Sequence, residues 1–424
     1  MTPEQQPALV TETKSNRHPI LFTLLVLIVL FNVKLLWITR DNILEGYGDF
    51  ASFYASALIV REGRGNELYN YNTQREIQRP LFPTVETRED ALPFVHMAYE
   101  TLIYVPLTFL SYSKAVGLWM FINLFMLAMV SACLPLNPPF QKKTLRIFLL
   151  LSIIASFPVL VTLIQGQDCI ILLLLYSLAF ICLKKDRSAL AGCILAFGLF
   201  KFQLVLPFVG IFLLERQWKF ISGFVAASIV PIITSLCIAG TGGTLEYLRF
   251  LLRFSQSPLG QFEIEPSKMP NIRGILYTVL SGLLSHRFLF IATVIGSIAI
   301  VVWAIRTSRS APLEVRFALA MLVSLAVSYY LMVYDLALAV LPLFIMINQM
   351  SSITSHRSRF FQSAFVILSA LLLMSPSHLA ILSYGIAPSL MALPLLGLIF
   401  LTGKQQSIPF APTKMASIAI DTQL

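Results

Sequence analysis

Apolar runs close to the thickness of a bilayer recur along the whole chain, with short polar links between them, and no other property restricts the fold as tightly. A crossing helix needs about 20 consecutive apolar residues. The first such run extends from about Ile20 to Ile38, and others follow as far as Leu401. Charged residues make up only 12% of the 424, against about 25% in a soluble domain. The pattern excludes a soluble globular enzyme and predicts an all-α integral membrane protein.

Loop charge orients the spans, because Lys and Arg concentrate on the cytoplasmic side. Lys14 and Arg17 precede the first run, which is too long for a signal peptide and has no small-residue cleavage site after it. It reads as an uncleaved first span, about 19–39. The basic links at 142–146, 184–187, 216–219, 306–309 and 356–359 all fall inside if the short run 98–110, which carries Glu100 and Pro106, lies on the membrane surface. Crossings are then expected at about 113–134, 146–164, 220–239 and 286–305, among others. The stretch 188–215 is split into two short helices turning at 201–203. About twelve crossings leave both termini cytoplasmic. The expected organisation is a tail at 1–18, a polytopic domain at 19–404 with outer loops at about 40–112 and 240–285, and a second tail at 405–424.

The net charge of +10 follows from these loops and calls for no nucleic acid; the partner it fits is the lipid bilayer. The five cysteines lie in or beside apolar runs, with no CxxC pair and no His at zinc spacing, and read as small apolar residues. His18, His286, His356 and His378 sit at span ends and read as interfacial. No internal repeat is visible. Asp49, His96, Glu100, Gln165, Gln167, Asp168, Lys201, Arg273 and Asp335 all fall at or just under the outer face. Polar groups at membrane depth are costly and usually mark sites. Bland readings stand beside that one. Asp49 and Asp335 each precede a helical run and suit an N-cap. Lys201 can snorkel to headgroups, and Arg273 can order its loop through a salt bridge. Gln165, Gln167 and Asp168 can satisfy a tight turn, and Tyr54 can pack the outer loop.

Several fragments in a fixed order carry a resemblance. They begin with Gly48-Asp49-Phe50-x-x-Phe53-Tyr54-x-x-Ala57, Leu68-Tyr69 and Phe94-Val95-His96-x-x-x-Glu100. Next come Pro106-Leu107, Trp119 with Asn123, and Gly166-Gln167-Asp168. Lys201-Phe202-Gln203, Met269-Pro270-Asn271-x-Arg273-Gly274 and Tyr334-Asp335-Leu336 complete the set. Together they resemble glycosyltransferase family 87, membrane enzymes of the GT-C superfamily. One departure is Met97-Ala98-Tyr99, where related sequences often carry Pro-Pro.

The resemblance implies a GT-C fold with juxtamembrane helices in a long first outer loop. It implies a hexosyltransferase of the bacterial inner membrane, with its active site on the extracytoplasmic face. The donor would be a polyprenyl-phosphate sugar, typically mannose, and the acceptor a glycolipid or glycan hydroxyl. Inverting transfer needs one base for the acceptor proton; Asp49 matches the family's aspartate, and His96 can assist. Lys201 and Arg273 are the expected phosphate partners. Glu100, Gln167, Asp168, Asp335 and Tyr54 are the expected binding residues around the sugar. No cofactor and no metal is expected, although the absence of a paired-carboxylate motif does not exclude a divalent ion. The rival reading is a transporter or flippase of a lipid-linked sugar.

Overall fold

Proline accounts for two of the places where the long apolar runs break. The computed structural model describes residues 17–83, 85, 91–134, 143–253, 265–350 and 356–405. Most of both expected tails, at 1–16 and 406–424, lies outside these residues, as do 86–90 and 254–264 of the two expected outer loops. The side chains of His18 and His356 are likewise outside the description. The described residues are helical apart from turns, extended links and one isolated β-bridge.

Among the described residues, five helices are long and apolar enough to cross a membrane: Ile20–Ile38, Tyr112–Cys133, Trp218–Leu252, His286–Ser308 and Val333–Met350. The pair Ser188–Ala196 and Leu199–Leu214, bent by 68°, makes a sixth if counted as one span. That is fewer than the expected twelve, because several expected runs are divided into helices too short to span alone. The expected split of 188–215 is present, but the break falls at 197–198, ahead of Lys201. The 98–110 stretch is three short turns, Ala98–Glu100, Thr101–Tyr104 and Val105–Phe109, where one surface helix was expected.

Two breaks share one physical cause. The run 146–164 divides into Lys143–Ile154 and Phe157–Gln165, and the run near 361–375 divides into His356–Leu373 and Ser375–Ser383. Each new helix has proline at its second residue, Pro158 and Pro376. Proline has no N–H for the carbonyl four residues earlier, and in a bilayer that carbonyl must be satisfied by protein. The Ile154 carbonyl accepts from Asn32 Nδ2 at 3.1 Å, and the Leu372 carbonyl lies 2.8 Å from His378 Nε2. His378 is therefore a buried cap, stacked on Phe157, where an interfacial residue was expected. The two breaks also join each other through the Ser156–Met374 bridge, and Ser375 Oγ donates to Asn32 Oδ1 at 2.6 Å.

Small residues set the closest helix approach. A Cβ on Gly192 would lie 2.0 Å from the Phe220 carbonyl oxygen, and one on Gly223 2.0 Å from that of Ala189. The helices Ser188–Ala196 and Trp218–Arg253 thus meet backbone to backbone, as small residues permit between membrane helices. The second of these helices breaks at Gly240, where φ is 64°.

Two ion pairs lie at one end of the helix set. Lys184 pairs with Glu314, and Glu215 accepts from Arg316 (Nη2, 2.6 Å) and Ser308 (2.6 Å). The opposite ends of the same helices carry Asp168, Lys201 and the Ser328–Tyr330 break, so the packing brings those three together. Replacing Gly223 by Leu should force the 188–196 and 218–253 helices apart and cost about 1–3 kcal/mol or more. A lowered melting temperature of the detergent-solubilised protein checks this; an unchanged one contradicts the close approach.

Candidate active site

Asp49 reaches its position through two interlocking turns. Gly166 ends the Phe157–Gln165 helix with φ 65°, a left-handed conformation that glycine adopts without strain. Its Cβ position lies only 2.5 Å from Phe50 Cβ, so a side chain there would push the Phe50–Arg61 helix away. Trp119 Nε1 donates to the Gly166 carbonyl at 2.9 Å, and the Trp119 ring stacks on Phe50. The two glutamines flanking Gly166 then hold Asp49 from both sides. Gln165 Oε1 accepts from the Asp49 backbone N–H at 3.2 Å, and Gln167 Nε2 donates to Asp49 Oδ2 at 2.6 Å. Asp49 makes no side-chain capping bond to its helix. Its carboxylate faces Gln167, and the N-cap geometry is not realised.

His96 lies on an extended segment that has no sheet partner. Two glutamines one turn apart on the Tyr71–Leu81 helix supply the missing hydrogen bonds. Gln78 takes both the N–H and the carbonyl of Leu92, at 2.9 and 2.8 Å, and Gln74 Oε1 accepts from the Phe94 N–H at 2.9 Å. Tyr69 OH donates to the His96 carbonyl at 2.9 Å. Backbone polar groups inside a protein must be paired, and side chains carry that duty here.

Behind Asp49 and His96 lies a buried ionic network. Lys201 Nζ is 2.8 Å from Asp335 Oδ1, 3.1 Å from Asp168 Oδ1 and 3.3 Å from Gln167 Oε1. An ammonium has three hydrogens, and three protein acceptors face it. Its Nζ also sits 5.0 Å from the centre of the Tyr334 ring. Asp335 accepts from the Met332 N–H at 2.8 Å and from Cys169 Sγ at 3.2 Å. His96 Nδ1 lies 2.5 Å from Glu100 Oε2 and 3.1 Å from Asp168 Oδ2, and Tyr104 OH donates to Glu100 Oε1 at 3.2 Å. Glu100, Asp168, Lys201 and Asp335 are all at most 2% exposed. Charges buried this deeply persist only when paired.

The carboxylates of Glu100 and Asp168 beside His96 favour its imidazolium form. Burial disfavours the imidazolium, but the charges of Glu100 and Asp168 outweigh it and raise its pKa from the ordinary 6.5 to about 10. Burial likewise pushes the Glu100 carboxyl up to about 8, against the pull of His96. His96, Glu100 and Asp168 are also described residues whose donor atoms lie within 4.8 Å of one another, close enough to share a metal ion. Lys201 already occupies one side of Asp168.

A cavity of about 340 Å³ opens beside this network, within the ~300–1,000 Å³ range of small-molecule sites. Asp49, His96, Gln167 and Lys201 form its polar side. Phe94, Phe200, Tyr330 and Tyr334 form aromatic walls, and Leu251 and Leu252 form an apolar lip. Five expected site residues do not line the cavity. Tyr54 is buried and donates to the Leu110 carbonyl at 2.7 Å. Arg273 stands behind Tyr329, its guanidinium carbon 4.1 Å from that ring's centre. Glu100, Asp168 and Asp335 form the layer behind the lining residues. Sequence reasoning missed Tyr330, Tyr334 and Cys169; an aromatic pair five residues before Asp335 was the available signal.

Helices long and apolar enough to cross a membrane, packed beside a cavity with polar and aromatic walls, suit a membrane-bound enzyme. The sequence model of glycosyltransferase family 87 matches residues 99–333, more than half of the chain, and the protein belongs to that family. The matched region contains Gln167, Asp168, Lys201 and Arg273; Asp49, His96 and Asp335 lie outside it. No curated protein and no solved structure matches the chain.

Two outcomes are expected from the network. Lys201→Met leaves the Asp168 and Asp335 carboxylates buried without their cation and should cost about 3–5 kcal/mol, read as a lower melting temperature. Adding Asp168→Asn and Asp335→Asn should recover most of that loss. The second concerns pH. A folded pKa raised from 6.5 to about 10 means that His96 stabilises the fold fully below pH 6.5, and that this is lost as pH rises through about 10. Melting temperature should therefore fall from neutral to alkaline pH, and His96→Gln should flatten that fall. Equal slopes in the two proteins contradict the assignment.

Proposed function

We propose that this glycosyltransferase moves a hexose, mannose being the family's usual sugar, from a polyprenyl-phosphate donor to a hydroxyl of a glycolipid or glycan. The observation that carries the reading is the Lys201–Gln167–Asp49 chain at the cavity wall. Lys201 can only donate and Asp49 can only accept, so the Gln167 amide is fixed in one orientation. The Asp49 carboxylate is thereby aimed by a directed hydrogen bond from the Gln167 amide. That arrangement suits a base that takes the acceptor's proton as its oxygen attacks C1.

The lipid phosphate leaves as an anion and needs donors, not a strong acid. His96, favoured as an imidazolium, suits the donor role and not that of a base. The Lys201 charge is spent on Asp168 and Asp335, so the reading assigns it to the support of Asp49 and not to the phosphate. The apolar lip at Leu251 and Leu252 suits a prenyl chain. Loop charge favours the extracytoplasmic face for the cavity, and the family favours the bacterial inner membrane. No step requires a cofactor from outside the substrates.

Purified protein screened against radiolabelled lipid-phosphate sugars, mannose first, tests the activity. Asp49→Asn should lower turnover by about 10²–10⁴-fold, the usual worth of a general base, with the melting temperature close to that of the parent. Retention of turnover by Asp49→Asn would falsify the role given to this carboxylate.

A further inference from the structure

The Met269–Gly274 turn does not line the cavity, yet it holds two successive carbonyls of the segment that does. Ser328–Tyr330 links the Leu313–Val327 helix to the Val333–Ala339 helical turns, and its carbonyls have no helical partner. Asn271 Nδ2 donates to the Ser328 carbonyl at 2.7 Å, and Arg273 Nη1 to the Tyr329 carbonyl at 3.0 Å. Ser328 Oγ donates to the Tyr330 carbonyl at 2.7 Å. Asn271 is itself fixed, because its Oδ1 accepts from the Gly274 N–H at 2.9 Å as the cap of the Ile272–Leu280 helix. The turn leaves no room at Gly274, where a Cβ would lie 1.8 Å from the Met269 carbonyl oxygen.

Satisfying a carbonyl needs only a neutral donor. Arg273 brings a cation that is 7% exposed and forms no ion pair among the described residues. Burying an unpaired guanidinium is expensive, so the charge must have a use. Its carbon lies 4.1 Å from the centre of the Tyr329 ring and 5.8 Å from that of Tyr277. Cation–π attraction to a half-exposed ring is what it gains. Tyr329 and Tyr330 line the cavity, and Arg273 does not.

We propose that Asn271 and Arg273 are positioning residues that hold Tyr329 and Tyr330 as the wall against which the sugar-phosphate head of the donor binds, with Arg273 acting through Tyr329. The clamp stands on geometry alone, and its use in donor binding rests on the glycosyltransferase reading.

Two measurements on the full-length protein in detergent test it. The first needs no reaction. Tyr329→Trp is compared with and without Arg273→Met by emission and acrylamide quenching, each after subtracting the spectrum of the same protein retaining Tyr329. Loss of Arg273 should shift the added indole's emission to the red and raise its quenching about twofold or more as the ring is released; identical spectra overturn the clamp. Arg273→Lys replaces Arg273→Met if the latter does not accumulate, and should also release the ring, since an ammonium lacks the planar fork.

The second is a double-mutant cycle on donor KM. Arg273→Met and Tyr329→Ala should each raise KM by about tenfold with kcat within about twofold. The double variant should be no worse than the poorer single one. Multiplying losses, or a normal KM restored by Arg273→Lys, would show that Arg273 meets the donor directly and overturn the inference. If the parent protein transfers no lipid-linked sugar, the proposed reaction fails, and the emission comparison still decides the clamp.

Discussion

A lysine ammonium driven into the interior of a membrane protein must be met by carboxylates, and the rest of the site follows from how Lys201 meets them. Asp168, at the start of the Cys169–Lys184 helix, and Asp335, in the Val333–Ala339 turns, both contact Nζ, at 3.1 and 2.8 Å. Three helices that share no local sequence are thereby fixed at one end. The energetic weight lies less in the net worth of the ion triad than in the penalty for incomplete pairing, since a buried charge without its partner costs far more than a complete pair contributes. Such a network resists piecemeal change.

The same lysine also organises the chemistry one step further out. Gln167 converts its charge into a directed hydrogen bond on Asp49, and Asp168 carries the network across to His96 and Glu100. The cavity's polar side is thus the outer edge of a buried, rigid ionic lattice. Its other side is aromatic and is held from behind by the Asn271–Arg273 clamp. A preorganised site of this kind has its dipoles in place before substrate arrives.

Broken helices are the means by which the fold places these groups. Lys201 sits just past the Phe197–Gly198 break, Gln167 just past the Gly166 turn, and Asp335 just past the Ser328–Tyr330 break. Each interruption frees backbone groups that a bilayer cannot satisfy. The protein answers with side chains: Asn32, Asn271 and Arg273 cap carbonyls distant in sequence, His378 caps one six residues away, and Gln74 and Gln78 pair the extended backbone at 92–94. Some of these polar residues have the look of site residues in the sequence and are structural caps in the fold. Arg273, expected at the donor phosphate, is such a case, while His378, expected at the interface, covers the acceptor that proline at 376 creates.

From residue order alone came the membrane class, the interruption of the 188–215 stretch and the gathering of Asp49, His96, Gln167, Asp168, Lys201 and Asp335 near one face. Hydropathy and loop charge carry that information because transfer between water and lipid is a property of each residue and its immediate neighbours. Which of those groups reach the cavity was decided only by packing. Nothing in the sequence distinguishes Lys201, fully engaged by protein acceptors, from Arg273, pressed against a tyrosine ring, or shows that Tyr54 turns away to the Leu110 carbonyl. Partners of a buried charge come from helices more than 100 residues apart, and pairing at that range exists only once the chain has folded.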